Sequence, residues 1–139
     1  MPRSRAKPSA VRAVDTNVLV RFLTADDERQ AKVSRDIFVA GDVLIPTTVV
    51  LETEWVLRAG YDFAPTQIGS GLRALGGLPG VTFEEPGKVA QALDWLAAGM
   101  DFADALHLTK AADCSAFMTF DRKLAKKAKP LGALPVEVV

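Results

Sequence analysis

The chain reads as an α/β protein: a three-layer α/β/α sandwich around a mostly parallel central sheet of four to five strands. Three observations predict this. Short apolar runs such as Val43-Leu44-Ile45 and Ala116-Phe117-Met118 recur along the chain. The segments between them carry apolar residues at helical spacing. Strands apolar on both faces and separated by helices belong to a parallel sheet covered on both sides, with right-handed crossovers. A length of 139 residues suggests one domain, and 49% hydrophobic residues suffice for its core.

Met1 to Ala10 is polar, contains two prolines with Arg3, Arg5 and Lys7, and is expected to be a flexible basic tail before a domain over residues 11–139. Val11, Ala13 and Val14 read as a buried strand that Asp15 stops. Thr16 or Asn17 can cap the helix that follows, with Val18, Leu19, Phe22 and Leu23 on its apolar side. A second helix runs from about Glu28 to Ala40, with Val33 and Ile37 on its buried face, and Gly41 ends it. The strand Val43-Leu44-Ile45 closes at Pro46. A helix from Val49 to Ala59 follows, with Trp55, Val56 and Leu57 among its apolar residues and Gly60 as its stop. Pro65 opens a helix through Ile68, Leu72 and Leu75, which Gly76-Gly77 breaks. Val81-Thr82-Phe83 is a third strand, and Pro86 opens a helix that ends at Gly99. Asp101 is a good N-cap for a helix to about Asp113, with Asp104 at the capping-box position. Ser115 to Thr119 is the fourth strand, Arg122 to Lys129 a basic helix, and Leu134 to Val139 a candidate terminal strand.

Composition excludes several classes. No apolar run reaches the ~20 residues that span a bilayer, and the basic tail has no apolar segment behind it to act as a secretory signal. The single cysteine, Cys114, rules out an internal disulfide or a thiolate metal cluster, and reads as a buried small side chain. A cytoplasmic protein without membrane contact is expected. The 17 basic and 17 acidic residues balance, but unevenly. Arg3, Arg5 and Lys7 lie at one end and Arg122, Lys123, Lys126, Lys127 and Lys129 near the other, so the stretch between is acidic. That distribution suits a metal site beside a polyanion-binding surface, or an ordinary solvated exterior. Arg122, Lys126 and Lys129, spaced i, i+4, i+7, are the candidate RNA-binding face.

Three acids follow one rule. Asp15 and Asp121 stand at strand ends, and Glu52 lies one turn into the helix beyond another strand. Asp104 opens a further helix. Each has a plain structural reading: Asp15 as a capping turn, Glu52 as a solvent-facing helix residue, and Asp101 with Asp104 as cap and box partner. Strands of a parallel sheet point one way, and open α/β sheets bind ligands at the strands' carboxyl ends, so these acids can converge. Carboxylates sharing a cleft repel each other unless cations fill it. With only oxygen ligands offered, no cysteine set and one histidine, the donor chemistry selects Mg²⁺ or Mn²⁺ over Zn²⁺. His107, three residues after Asp104, could contact it, although a lone helical histidine is commonly a surface or packing residue.

In order along the chain, Asp15-Thr16-Asn17-Val18-Leu19, Glu52 within VVLETEWVL, Asp104 within DFADALHL, and Thr119-Phe120-Asp121 resemble the motifs of PIN-domain ribonucleases. The likeness is strongest to the VapC-type toxins of prokaryotic toxin–antitoxin pairs and covers residues 11–139. It implies a PIN-like fold in which Asp15, Glu52, Asp104 and Asp121 form the catalytic metal site for RNA cleavage, with Asn17 and Thr119 in support. Asp101 is either the helix cap alone or a further acid beside the site. The resemblance also implies a homodimer and a small, VapB-like antitoxin that blocks the site. The basic tail departs from it, since many relatives begin almost at the first strand.

Two other α/β classes fit poorly. A haloacid-dehalogenase phosphatase needs an acid two residues after Asp15, where Asn17 stands. A receiver domain needs an acidic pair after its first strand, but Val14 and Thr16 flank Asp15. A PIN nuclease of RNA processing, acting without an antitoxin, is the nearest alternative.

Overall fold

A computed structural model describes residues 10–139; the expected basic tail, apart from Ala10, lies outside the described residues. These form β1 (Arg12–Ala13), α1 (Thr16–Thr24), α2 (Glu28–Ala40), β2 (Val43–Ile45), α3 (Thr47–Tyr61), α4 (Pro65–Gly76), β3 (Val81–Phe83), α5 (Pro86–Ala97), α6 (Phe102–Lys110), β4 (Phe117–Thr119), α7 (Arg122–Ala128), a 3-10 turn (Lys129–Leu131) and β5 (Val136–Val138). Every strand pair is parallel, and the helices cover the strands as an α/β/α sandwich. The ladders fall into two sets, β1-β2-β3 and β4-β5, in place of one continuous sheet.

The core is built where apolar side chains recur at the expected spacing. Leu19, Phe38, Ile45, Leu57, Leu72, Phe102 and Leu108 are buried, and Phe22 meets Phe38 edge-on at 4.9 Å between ring centroids. On α3 the buried face is Val50, Thr53, Glu54 and Leu57, a strict i, i+3, i+4, i+7 stripe. That stripe turns Trp55 outward, 57% exposed. Val33 is likewise 46% exposed, because α2 buries Ala31, Ser34 and Phe38. Cys114 is exposed as well.

Three local departures bear on the site. β1 is two residues long and exposed; only Val14 beyond it is buried, and the Arg12 guanidinium donates to the carbonyls of Ile37 and Gly41 at 3.1 and 3.2 Å. α3 runs through Gly60 and ends at Asp62, which takes the left-handed cap conformation (φ 57°) that short polar side chains tolerate. Its N-terminus uses no threonine side chain. Glu84, just past β3, accepts from the Thr47 amide at 2.9 Å instead. The carboxyl ends of β1, β2 and β3 thereby gather Asp15, Thr47 and Glu84 on one side of the sheet.

Candidate active site

Asp15 is the N-cap of α1, its Oδ1 accepting from the Thr16 amide at 2.7 Å. Thr16 is buried, and its hydroxyl donates to Glu52 Oε1 at 2.5 Å. This bond ties the end of β1 to the second turn of α3 and brings Glu52 to the side of the sheet where Asp15 stands. Glu52 itself is exposed. The sequence offers Thr16 or Asn17 as the cap of α1; Asp15 caps it instead, and Thr16 is left as the donor to Glu52. Its place directly after Asp15, on the inward side of a first helical turn, is the signal for that role.

A second acidic neighbourhood forms where α6 and α7 begin. Asp101 caps α6, its Oδ2 accepting from the Asp104 amide at 3.1 Å. Asp121 caps α7 through Oδ1, which accepts from the amides of Lys123 and Leu124 at 2.9 and 3.1 Å. The Thr119 hydroxyl accepts from the Asp121 amide at 2.9 Å and fixes that turn. Asp104, partly buried, lies between them. Burial raises its pKa above the ordinary aspartate value, the charges of Asp101 and Asp121 raise it further, and His107 opposes them. The field at Asp104 therefore disfavours a lone negative charge and favours a cation.

These groups edge a cleft of about 410 Å³ lined by Asp101, Asp104, Asp121, Glu54, Arg58, Lys123 and Lys127, with Met100, Phe102 and Leu124 as apolar wall. Glu54 is 1% exposed and is held by Arg58, whose Nε and Nη2 lie 2.8 and 3.4 Å from its carboxylate oxygens. Neither residue is among the sequence-derived candidates: two residues beyond Glu52, Glu54 lies on a different face of α3, and that face is the cleft wall.

The expected convergence of four carboxylates takes a looser form. Asp15 with Glu52, and Asp104 with Asp101 and Asp121, make two neighbourhoods joined by α3, which packs against both α1 and α6. Among the described residues no three His, Cys, Asp or Glu side chains are close enough to hold an ion on their own. Asp15, Asp101 and Asp121 each give an oxygen to helix amides. Asn17 is exposed and lines a separate 220 Å³ groove with Val18, Arg21, Val33 and Ile37. α7 ends at Ala128, and Lys129 opens the 3-10 turn with its backbone still in the right-handed helical region. Lys126 and Lys129 line a cleft against Leu134–Val136, while Lys123 and Lys127 face the acids.

No helix among the described residues is long and apolar enough to cross a membrane. Comparison with curated proteins and with solved structures gives no match. The model of one family, described as PIN domain, matches residues 12–130, from β1 into the 3-10 turn that follows α7. With the parallel strands, the interleaved helices and acids at the starts of α1, α6 and α7, this match shows that the chain belongs to the PIN-domain family, whose function is of the nuclease type and typically metal-dependent.

Proposed function

We propose that the chain is a metal-dependent ribonuclease toxin of the VapC type, hydrolysing RNA phosphodiester bonds and neutralised by a small antitoxin. The observation that carries the nuclease chemistry is Asp104: a partly buried carboxylate whose ionisation is opposed by burial and by Asp101 and Asp121. Its donor set is oxygen only, which fits Mg²⁺ or Mn²⁺; such ions need few carboxylates when phosphate and water complete the shell. Asp104 and Asp121 would hold the ion, with Asp15 and Glu52 closing the site from the α1 side. An ion held there would supply Lewis-acid chemistry, activating a water and offsetting charge on the phosphoryl oxygens.

The chain's own residues prepare that chemistry. Thr16 orients Glu52, Asp101 fixes the amide of Asp104, and Thr119 fixes the turn that presents Asp121. Arg122, Lys126 and Lys129 extend the basic surface beyond the cleft, where an RNA backbone can follow it.

The toxin reading is supported by apolar surface left on the outer helices. Val33 and Trp55 are exposed, and Val18, Val33 and Ile37 line the groove between α1 and α2. An antitoxin helix would bury its apolar side there, and its following segment would place an arginine, which pairs with carboxylates and keeps its proton, among the acids. A homodimer is expected from the resemblance to VapC-type toxins.

The test is an RNase assay with and without Mg²⁺ or Mn²⁺. Asp15→Asn and Asp104→Asn fold and lose at least a hundredfold in cleavage, whereas Asp62→Asn, at the α3 cap, keeps it. Full activity in Asp104→Asn sinks the assignment. Co-expression with the product of the adjacent upstream gene, then pull-down and the same assay, tests the antitoxin. A chain that cleaves but finds no such partner is a stand-alone PIN nuclease.

A further inference from the structure

We infer that Arg58, held rigid by the buried Glu54, is a substrate-binding residue that grips an RNA phosphate next to the one being cleaved. The inference rests on the nuclease reading and names part of its substrate contact.

Glu54 has 2% side-chain exposure, and its recorded hydrogen bonds come from Arg58. A buried carboxylate is costly unless paired, so the guanidinium is committed on its Nε and Nη2 side. Nη1 has no acceptor among the described residues, and the Arg58 side chain is 45% exposed in the wall of the acidic cleft. The pair is one helical turn long on α3, the element that carries Glu52 two residues earlier. Across the cleft, Asp101 is close enough to act electrostatically on Arg58.

A polyanion entering a cleft with Asp101, Asp104 and Asp121 is repelled, and a metal ion at Asp104 offsets that repulsion at one phosphate only. The next phosphate needs a fixed cation. Lys127 is partly committed to the Gly99 carbonyl at 2.6 Å. Arg58 is already ordered by Glu54, so little side-chain entropy remains to be lost when its free edge meets phosphate. A cleft of about 410 Å³ is at the small end of ligand sites, which suits one nucleotide unit.

The experiment measures binding of a labelled single-stranded oligoribonucleotide to Asp104→Asn protein in Mg²⁺ across a salt series. In that background Glu54→Gln with Arg58→Gln removes one charge of each sign, so net charge is unchanged. It should weaken binding about tenfold or more and lower the slope of log K against log salt by about 0.7, one single-strand phosphate contact. Arg58→Lys keeps the slope and weakens binding less. Arg73→Gln, whose partner Asp94 lies away from the cleft, leaves both unchanged. Should the double variant fail to fold, Arg58→Lys carries the test: it must weaken binding without lowering the slope, and unchanged affinity overturns the inference. A folded double variant with unchanged slope and affinity overturns this inference while the nuclease reading stands. Absence of metal-dependent RNA cleavage by the wild-type chain overturns the nuclease reading itself.

Discussion

Asp15, Asp101 and Asp121 cap α1, α6 and α7, so a structural and a chemical role coincide on the same side chains. Asparagine caps nearly as well as aspartate, whereas alanine loses about 0.5–2 kcal/mol. Substitution by Asn therefore separates the roles, and Asp121→Asn should keep its melting temperature while losing cleavage. Asp104 is not a cap, and among the described residues no hydrogen bond reaches its carboxylate. Its folded-state pKa is raised, chiefly by burial and then by Asp101. A carboxyl group raised in this way favours folding while protonated. That contribution is present below the unfolded-state value and is lost as pH rises through the folded-state value. In EDTA, Asp104→Asn should be at least as stable as wild type at neutral pH. The wild-type disadvantage should appear as pH climbs from about 4 upward. Thermal melts over that range check it, and a clear loss of stability in the variant would mark Asp104 as structural.

At the scale of elements, the helices and strands were legible because each carried its own punctuation. Pro65 and Pro86 begin α4 and α5, and Gly41 ends α2 where expected. What stayed illegible depends on tertiary partners. α3 passes through Gly60 because Asp62 supplies the left-handed cap, and Tyr61 is anchored by donating to Asp26 at 2.5 Å. Which glutamate of α3 is buried, Glu52 or Glu54, depends on helix phase. The phase of the stripe from Val50 to Leu57 decides for Glu54. The same dependence fixes Gly80, where β3 begins. It has φ +75°, and a Cβ there would stand 2.8 Å from the Gly41 Cα, backbone against backbone. Gly80→Ala should cost on the order of 1–3 kcal/mol and be read as a lower denaturant midpoint. Gly80 precedes β3 while the acids follow strands, so activity per folded molecule should stay near wild type.

Across the whole molecule, the candidate acids sit on α1, α3, α6 and α7 or at their caps, and the strands fall into two ladders. The order of the four acids along the chain was readable in sequence; their division into two neighbourhoods was not, since it depends on how α3 spans α1 and α6. An ion shared by these elements binds the folded chain far better than the unfolded one, because the unfolded chain does not hold the acids together. Mass action then gives about 2.7 kcal/mol of stabilisation at a hundredfold excess over the dissociation constant. For a domain of this size that is a rise of several degrees in melting temperature. Mn²⁺ or Mg²⁺ titrated into EDTA-treated protein should produce this rise, and further EDTA should reverse it. Asp104→Asn and Asp121→Asn should each lose most of it, while Asp62→Asn keeps it. Glu52→Gln is the informative arm. If α3 brings Glu52 to the same ion, its loss reduces the rise as well. An undiminished rise in Glu52→Gln confines the ion to the α6–α7 side and leaves Glu52 as the partner of Thr16 alone.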